Sequence, residues 1–168
     1  MRRAQGTIHV FTFKEGVFSA VAHDLRIRLD RFDISLEGQA VRAELDLTSL
    51  AVEGPMENGV LQANAYDAGK RADVEKAMHG DVLRTKQHPK AVYAGTAAPS
   101  GSGFRVQGQL ELAGQQAPLA FDVTNDNGTY RASFELKPSQ FGIAQYKALL
   151  GAIRLKDVVR VELALQEA

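Results

Sequence analysis

Phe104-Arg105-Val106-Gln107-Gly108-Gln109-Leu110-Glu111-Leu112 is the stretch that decides the fold. Phe104, Val106, Gly108, Leu110 and Leu112 share one side of it, and Arg105, Gln107, Gln109 and Glu111 share the other. A period of two belongs to a pleated strand with one apolar and one wet face. On either side lie Pro99-Ser100-Gly101-Ser102-Gly103 and Ala113-Gly114-Gln115-Gln116, both short and Gly-containing. Links of that kind join neighbouring strands as antiparallel hairpins.

The same alternation recurs in both directions along the chain. Leu25, Ile27 and Leu29 interleave with Arg26, Arg28 and Asp30, and Val41, Ala43 and Leu45 with Arg42, Glu44 and Asp46. Downstream, Leu119, Phe121 and Val123 form one face, Tyr130, Phe134 and Leu136 another, and Val159, Val161, Leu163 and Leu165 a third. Further strands are predicted over Thr7–Lys14, Phe18–Ala22, Phe32–Glu37 and Ala91–Ala97. Many short strands with one apolar face each point to a sandwich or a barrel, and only closure removes the exposed edges. The predicted class is all-β, an antiparallel eight-stranded barrel in one domain over residues 1–168.

Two segments interrupt this rhythm. Ala68–Leu83 sets Val74, Ala77, Met78 and Val82 at helical spacing, which predicts one amphipathic helix with Met78 in the core. Pro138–Leu150 opens on proline and predicts a short C-terminal helical segment at one barrel end. Ala51–Asn64, with Gly54-Pro55 and Asn58-Gly59, reads as a mobile loop able to admit a ligand.

Composition narrows the chemistry. The 168 residues include no cysteine, which excludes disulfides, thiolate metal sites and a cysteine nucleophile. Twenty Lys and Arg balance twenty Asp and Glu, and there is no Trp, so neither a global field nor a stacking surface favours nucleic acid. No run of about 18 apolar residues is present to span a membrane as a helix. His9, Thr12, Lys14 and Glu15 interrupt the first strand, which therefore lacks the apolar core of a secretion signal. Cytoplasmic residence is expected, or periplasmic residence if a leader has been removed.

His23-Asp24 is the most tempting catalytic pair, but adjacent strand residues point to opposite faces, so Asp24 is poorly placed to orient His23. His9, His79 and His88 stand in no metal-ligand spacing. Asp30, Asp33 and Glu37 beside Arg26, Arg28 and Arg31 read as a solvated charged face. The apolar faces themselves are the stronger signal, because eight strands enclose an interior that side chains fill or one small ligand occupies. Ala43, Gly108 and Ala132 in the apolar registers would leave volume there, and a packed core accommodates them equally well.

Five stretches in order carry a resemblance: Val21-Ala22-His23-Asp24-Leu25-Arg26, Leu47-Thr48-Ser49-Leu50, Asp81 to Tyr93, Phe104 to Gly114, and Pro138-Ser139-Gln140-Phe141-Gly142-Ile143. From about Thr7 to Leu165 the chain resembles the YceI-like family of bacterial polyisoprenoid-binding proteins. That resemblance implies a lipocalin-like barrel that sequesters a long isoprenoid chain, such as a quinone tail, without covalent chemistry.

The expected function is therefore non-catalytic binding, transport or storage of an amphiphilic lipid, either polyisoprenoid, quinone-like or fatty-acyl. The partner is a lipophilic small molecule, with no cofactor beyond the bound lipid and no metal. Phe11, Leu25, Ile27, Val41, Leu45, Val106, Leu110, Phe121, Phe134, Phe141 and Val161 are predicted to line the cavity, with His23, Tyr93 or Tyr146 meeting a polar head. Two rivals remain. One is an enzyme on a lipophilic substrate with His23 as base, and the other a filled-barrel interaction module, for instance a homodimer.

Overall fold

The structure, a computed structural model, describes residues 1–15 and 23–168. The strand predicted over Phe18–Ala22 lies outside the described residues. In chain order the elements are β1 (Arg2–Glu15), β2 (Asp24–Leu29), β3 (Phe32–Glu37), β4 (Ala40–Asp46), β5 (Leu50–Glu57), β6 (Val60–Leu61), α1 (Ala68–Ala77), β7 (Lys90–Ser100), β8 (Gly103–Leu112), β9 (Gln115–Asp126), β10 (Thr129–Leu136), β11 (Lys147–Ala148) and β12 (Ile153–Glu167). Eight of the strands close on themselves in the order β1-β3-β4-β7-β8-β9-β10-β12, with β12 returning to β1. The expected eight-stranded antiparallel barrel is the observed one.

The opening stretch is β8, and its alternation sets the register. Val106 stands opposite Ala97 and Phe121, and Leu110 opposite Tyr93 and Ala117. Val106 and Leu110 are buried in the core with Ile8, Leu29, Ala43 and Val161. Gly108 does not leave ligand space. It faces Gly95 across the strand pair, and a Cβ on it would lie 2.3 Å from the Ala94 carbonyl oxygen. Ala43 and Ala132 are likewise buried. The small residues accommodate a tightly curved wall.

β1 divides its pairing along its length. Arg2, Arg3 and Ala4 pair with β3, whereas Ile8 to Thr12 pair with β2, which in turn carries β5 and β6. Ala51–Asn64 is therefore a hairpin at its core and not a mobile loop. Val52 is 3% exposed, and the turn at Asn58-Gly59 has φ of 51° and 77°. Asn-Gly tolerates that double left-handed geometry, which a two-residue hairpin turn requires. A register shift between Arg26 and Ile27 falls opposite Gly54, whose φ is 152°.

The predicted helix is present, with Val74, Met78 and Val82 packed against the core, and it differs from expectation in its regularity and burial. α1 runs for ten residues and continues as a π-helical turn over Met78–Val82, and no residue of either is buried. It lies across one end of the barrel, which we call the helix end. The predicted C-terminal helical segment is reduced to two 3-10 turns, Pro138–Phe141, stopped by Gly142 at φ 71°, and Leu149–Gly151. Its Phe141, at 1% exposure, is the most deeply buried large side chain among the described residues.

Between β9 and β10 the barrel wall is sewn only near the turn, where Thr124, Asn125 and Asp126 pair with Arg131, Tyr130 and Thr129. Farther along, side chains close the seam. Phe121 and Phe134 stack with centroids 4.4 Å apart, and the Tyr93 hydroxyl donates to the Leu119 carbonyl at 2.9 Å.

Candidate ligand-binding site

Inward residues follow from the register. Along β1 they are Ala4, Ile8, Val10 and Thr12; along β2, Leu25, Ile27 and Leu29; along β12, Leu155, Val159, Val161 and Leu165. Two spaces remain inside this wall, and they share no lining residue. One, of about 310 Å³, lies at the helix end, between Thr12, Leu25 and Ile27 of the barrel, Val74, Ala77, Met78 and Val82 of the helical segment, and Ile153 and Leu155 of β12. The other, of about 140 Å³, lies at the far end among Ile34, Leu36, Val41, Ala97, Phe104, Val106, Val123 and Leu165. Ile8, Leu29, Tyr93, Leu110 and Val161 are buried and line neither.

The helix-end cavity has a polar rim. His23, Tyr66, Lys70, Asp73 and Tyr146 surround it. The Tyr66 ring meets the His23 ring edge-on at 6.0 Å, and the Lys70 ammonium sits 5.6 Å from its centroid. Burial pushes the Tyr66 phenol up, so it stays neutral. Inside the rim, Thr12 Oγ1 is buried without a hydrogen-bond partner among the described residues.

α1 is held over this cavity by polar contacts. The Asp67 carboxylate accepts from the Lys70 amide at 2.7 Å and caps the helix, and the Glu75 carboxylate accepts from the Val52 amide at 2.8 Å. His79 bridges the Leu50 carbonyl at 3.0 Å and the Thr85 hydroxyl at 3.2 Å. Helix and cavity wall are thereby fixed to one edge.

The predicted lining residues divide by position. Leu25, Ile27, His23 and Tyr146 line the helix-end cavity, and Val41 and Val106 line the far one. Leu45, Leu110, Phe121, Phe134, Phe141 and Val161 belong to the packing of the interior. Tyr93 is buried with its hydroxyl committed to Leu119, so it is not a head-group contact. Phe11 is a correction, since it stands opposite Arg26 and Arg160, on the outer face of β1. Its burial comes from the Arg160 guanidinium, 4.6 Å from the ring centroid. Alternation sets it with Thr7 and His9, opposite to Ile8 and Val10, and its apolar character alone does not make it a lining residue.

Thr12, Tyr66 and the helical quartet Val74, Ala77, Met78 and Val82 were not in the predicted lining. Thr12 carried a signal: it is a polar residue in the inward register of Ile8 and Val10. The quartet was legible as an apolar face, and what was missing was that it faces a cavity. His23 has no carboxylate behind it among the described residues, because Asp24 accepts the Lys14 amide at 2.7 Å.

Solved structures share this architecture. Burkholderia cenocepacia BcnA superposes with a TM-score of 0.64 at 16% identity, covering 95% of this chain and 94% of that one. A polyisoprenoid binding domain from Saccharophagus degradans, implicated in plant cell wall breakdown, gives 0.60 at 13% identity, covering 96% and 92%. The Campylobacter jejuni YCEI protein gives 0.56 at 11% identity, covering 84% of each chain. No curated protein sequence matches the chain significantly. At these identities the likeness is one of fold, whereas the YceI-like domain matches the sequence itself over residues 4–166, so the chain belongs to the YceI-like family.

Proposed function

We propose that the protein binds an amphiphilic lipid in the helix-end cavity and carries or stores it without covalent chemistry. The observation that supports this most directly is a space of about 310 Å³ lined mostly by apolar side chains, Leu25, Ile27, Val74, Met78, Val82 and Leu155 among them. Its size falls at the lower end of the roughly 300–1,000 Å³ range of small-molecule sites. Burial of each CH₂ contributes about 0.8 kcal/mol, so an apolar tail needs no specific anchor to be retained. One structural relative is described as a polyisoprenoid binding domain, which fits an isoprenoid or acyl tail here too.

Organic extraction of the purified protein followed by mass spectrometry tests the reading. A lipid recovered in near-stoichiometric amount, or taken up when added to lipid-free protein, is the expected result. A protein that yields none and takes up none has a filled barrel, and the proposal fails.

A further inference from the structure

Resting on that reading for what is exchanged, we infer that the β11–β12 hairpin docks the helix end on an anionic lipid surface, from which the cavity collects its ligand. The hairpin runs Lys147-Ala148-Leu149-Leu150-Gly151-Ala152-Ile153-Arg154, with Lys147 opposite Arg154 and Ala148 opposite Ile153. It grows directly out of the cavity wall, since Tyr146, Ile153 and Leu155 at its base line that space.

Its tip is unlike an ordinary water-facing turn. Leu150 is fully exposed, and its backbone is left-handed at φ 55° and ψ 33°. Glycine and asparagine are at ease in that conformation, whereas leucine is strained in it and here gains nothing from the protein interior. An apolar side chain held outward at such a cost points to a partner that buries it. A second one stands at the same end. Val60 is 60% exposed on the β5–β6 hairpin, whose base is fixed by Met56 opposite Asp24 and Pro55 opposite Leu25 of the cavity wall. Among the described residues the other exposed large apolar side chain is Met1, at the chain terminus.

Charge selects the kind of surface. From Ile143 to Lys156 the chain carries Lys147, Arg154 and Lys156 and no acid. None of the three makes an ion pair among the described residues. The adjacent acids are taken by uncharged donors: Asp157 accepts the Ser139 amide at 2.9 Å, and Glu15, which stands opposite Arg154, accepts from the Gln145 side chain. An apolar tip collared by unpaired cations complements a bilayer, which sets anionic headgroups over apolar tails. A second copy of the chain would instead set the same cations against one another.

The test is flotation of the purified protein with phosphatidylcholine vesicles, with and without phosphatidylglycerol. Binding is expected on the anionic vesicles and should weaken at about 1 M salt, where charge is screened within about 3 Å. Leu150→Asn should lower it about tenfold, the loss of one buried apolar side chain. The same variant should keep or raise the urea midpoint, because asparagine suits the left-handed turn. Lys147→Gln and Lys156→Gln should each lower binding about fivefold, and on anionic vesicles only. Leu150→Asn should also slow the uptake of farnesol from vesicles about tenfold and leave its uptake from an ethanol stock unchanged. The inference is overturned if the parent does not float with anionic vesicles, or if Leu150→Asn floats as the parent does. It is also overturned if sedimentation shows the tip joining two copies of the chain and Leu150→Asn separating them. In each of those cases farnesol taken up from the stock leaves the lipid reading standing. Failure of uptake from either source, with no lipid on extraction, removes the lipid reading and collection from the membrane with it.

Discussion

Gly108 has no side chain because the neighbouring strand occupies the space. Its virtual Cβ would meet the Ala94 carbonyl oxygen at 2.3 Å and Gly95 Cα at 2.7 Å, and Gly95 in turn faces Gly108 and the Gln107 carbonyl as closely. The contact is with backbone, which has no rotamer to change. Gly108→Ala should therefore destabilise the fold by roughly 1–3 kcal/mol, the usual effect of overpacking. The readout is the urea midpoint at constant m-value. An unchanged or higher midpoint would show that the position borders free volume after all, since filling a void stabilises.

At the scale of elements, the helix end depends on how β5 finishes. Leu50 and Val52 are two residues apart, so their backbone groups point along the same edge of the strand, and β6 pairs only with Met56 and Glu57. That edge is covered by α1 and the π-helical turn: Glu75 takes the Val52 amide, and His79 contacts the Leu50 carbonyl. An exposed edge would otherwise present unpaired amide and carbonyl groups. Glu75→Ala should cost about 1–3 kcal/mol through the orphaned amide. It should also speed hydrogen exchange at Val52 and across α1 while leaving β8 and β9 protected. Unchanged protection at Val52 would mean that apolar contacts alone hold the helix down. Nothing in the sequence marked Glu75 or His79 for this task. Strand identity was legible because alternation is local, and β3 was read to the residue. The pairing of a helix carboxylate with a strand amide more than twenty positions away is a tertiary fact that no spacing encodes. Phe11 is a different case: it stands in the register of Thr7 and His9, opposite to Ile8 and Val10, so its outward side was legible from alternation.

Taken as a whole, the molecule separates its chemistry by side. The interior holds apolar side chains and the orphan hydroxyl of Thr12, while the outer face is laced with ion pairs. Glu53 receives His9, Arg26 and Arg28 at 3.1, 3.0 and 3.5 Å, Arg31 reaches Asp46 at 2.9 Å, and Arg3 reaches Asp33 at 3.2 Å. The Glu53 cluster is partly buried, whereas Arg31–Asp46 and Arg3–Asp33 are exposed and contribute little individually. Four surface carboxyls nonetheless give the fold an acid limb. The Thr48 hydroxyl holds the Asp46 carboxyl below the usual carboxylate range, the Ser139 hydroxyl does the same for Asp157, Arg42 followed by Lys90 for Glu44, and Arg28 for Asp30. Each of these groups binds its proton more readily in the unfolded chain, whose carboxyls titrate near about 4. Their contribution is complete above that pH and is lost as the pH falls through the lower, folded values. Stability, followed as the urea midpoint, should thus be level from about pH 7 down to about pH 5 and decline below about pH 4. Asp46→Asn combined with Asp157→Asn should flatten that decline, because the two carboxylates held low by Thr48 and Ser139 no longer titrate. A double variant with the parent's acid limb would show that the fold draws no pH dependence from them. A lipid bound as proposed in the helix-end cavity, whose wall is mostly apolar, should then be kept over the whole range in which the barrel stays folded.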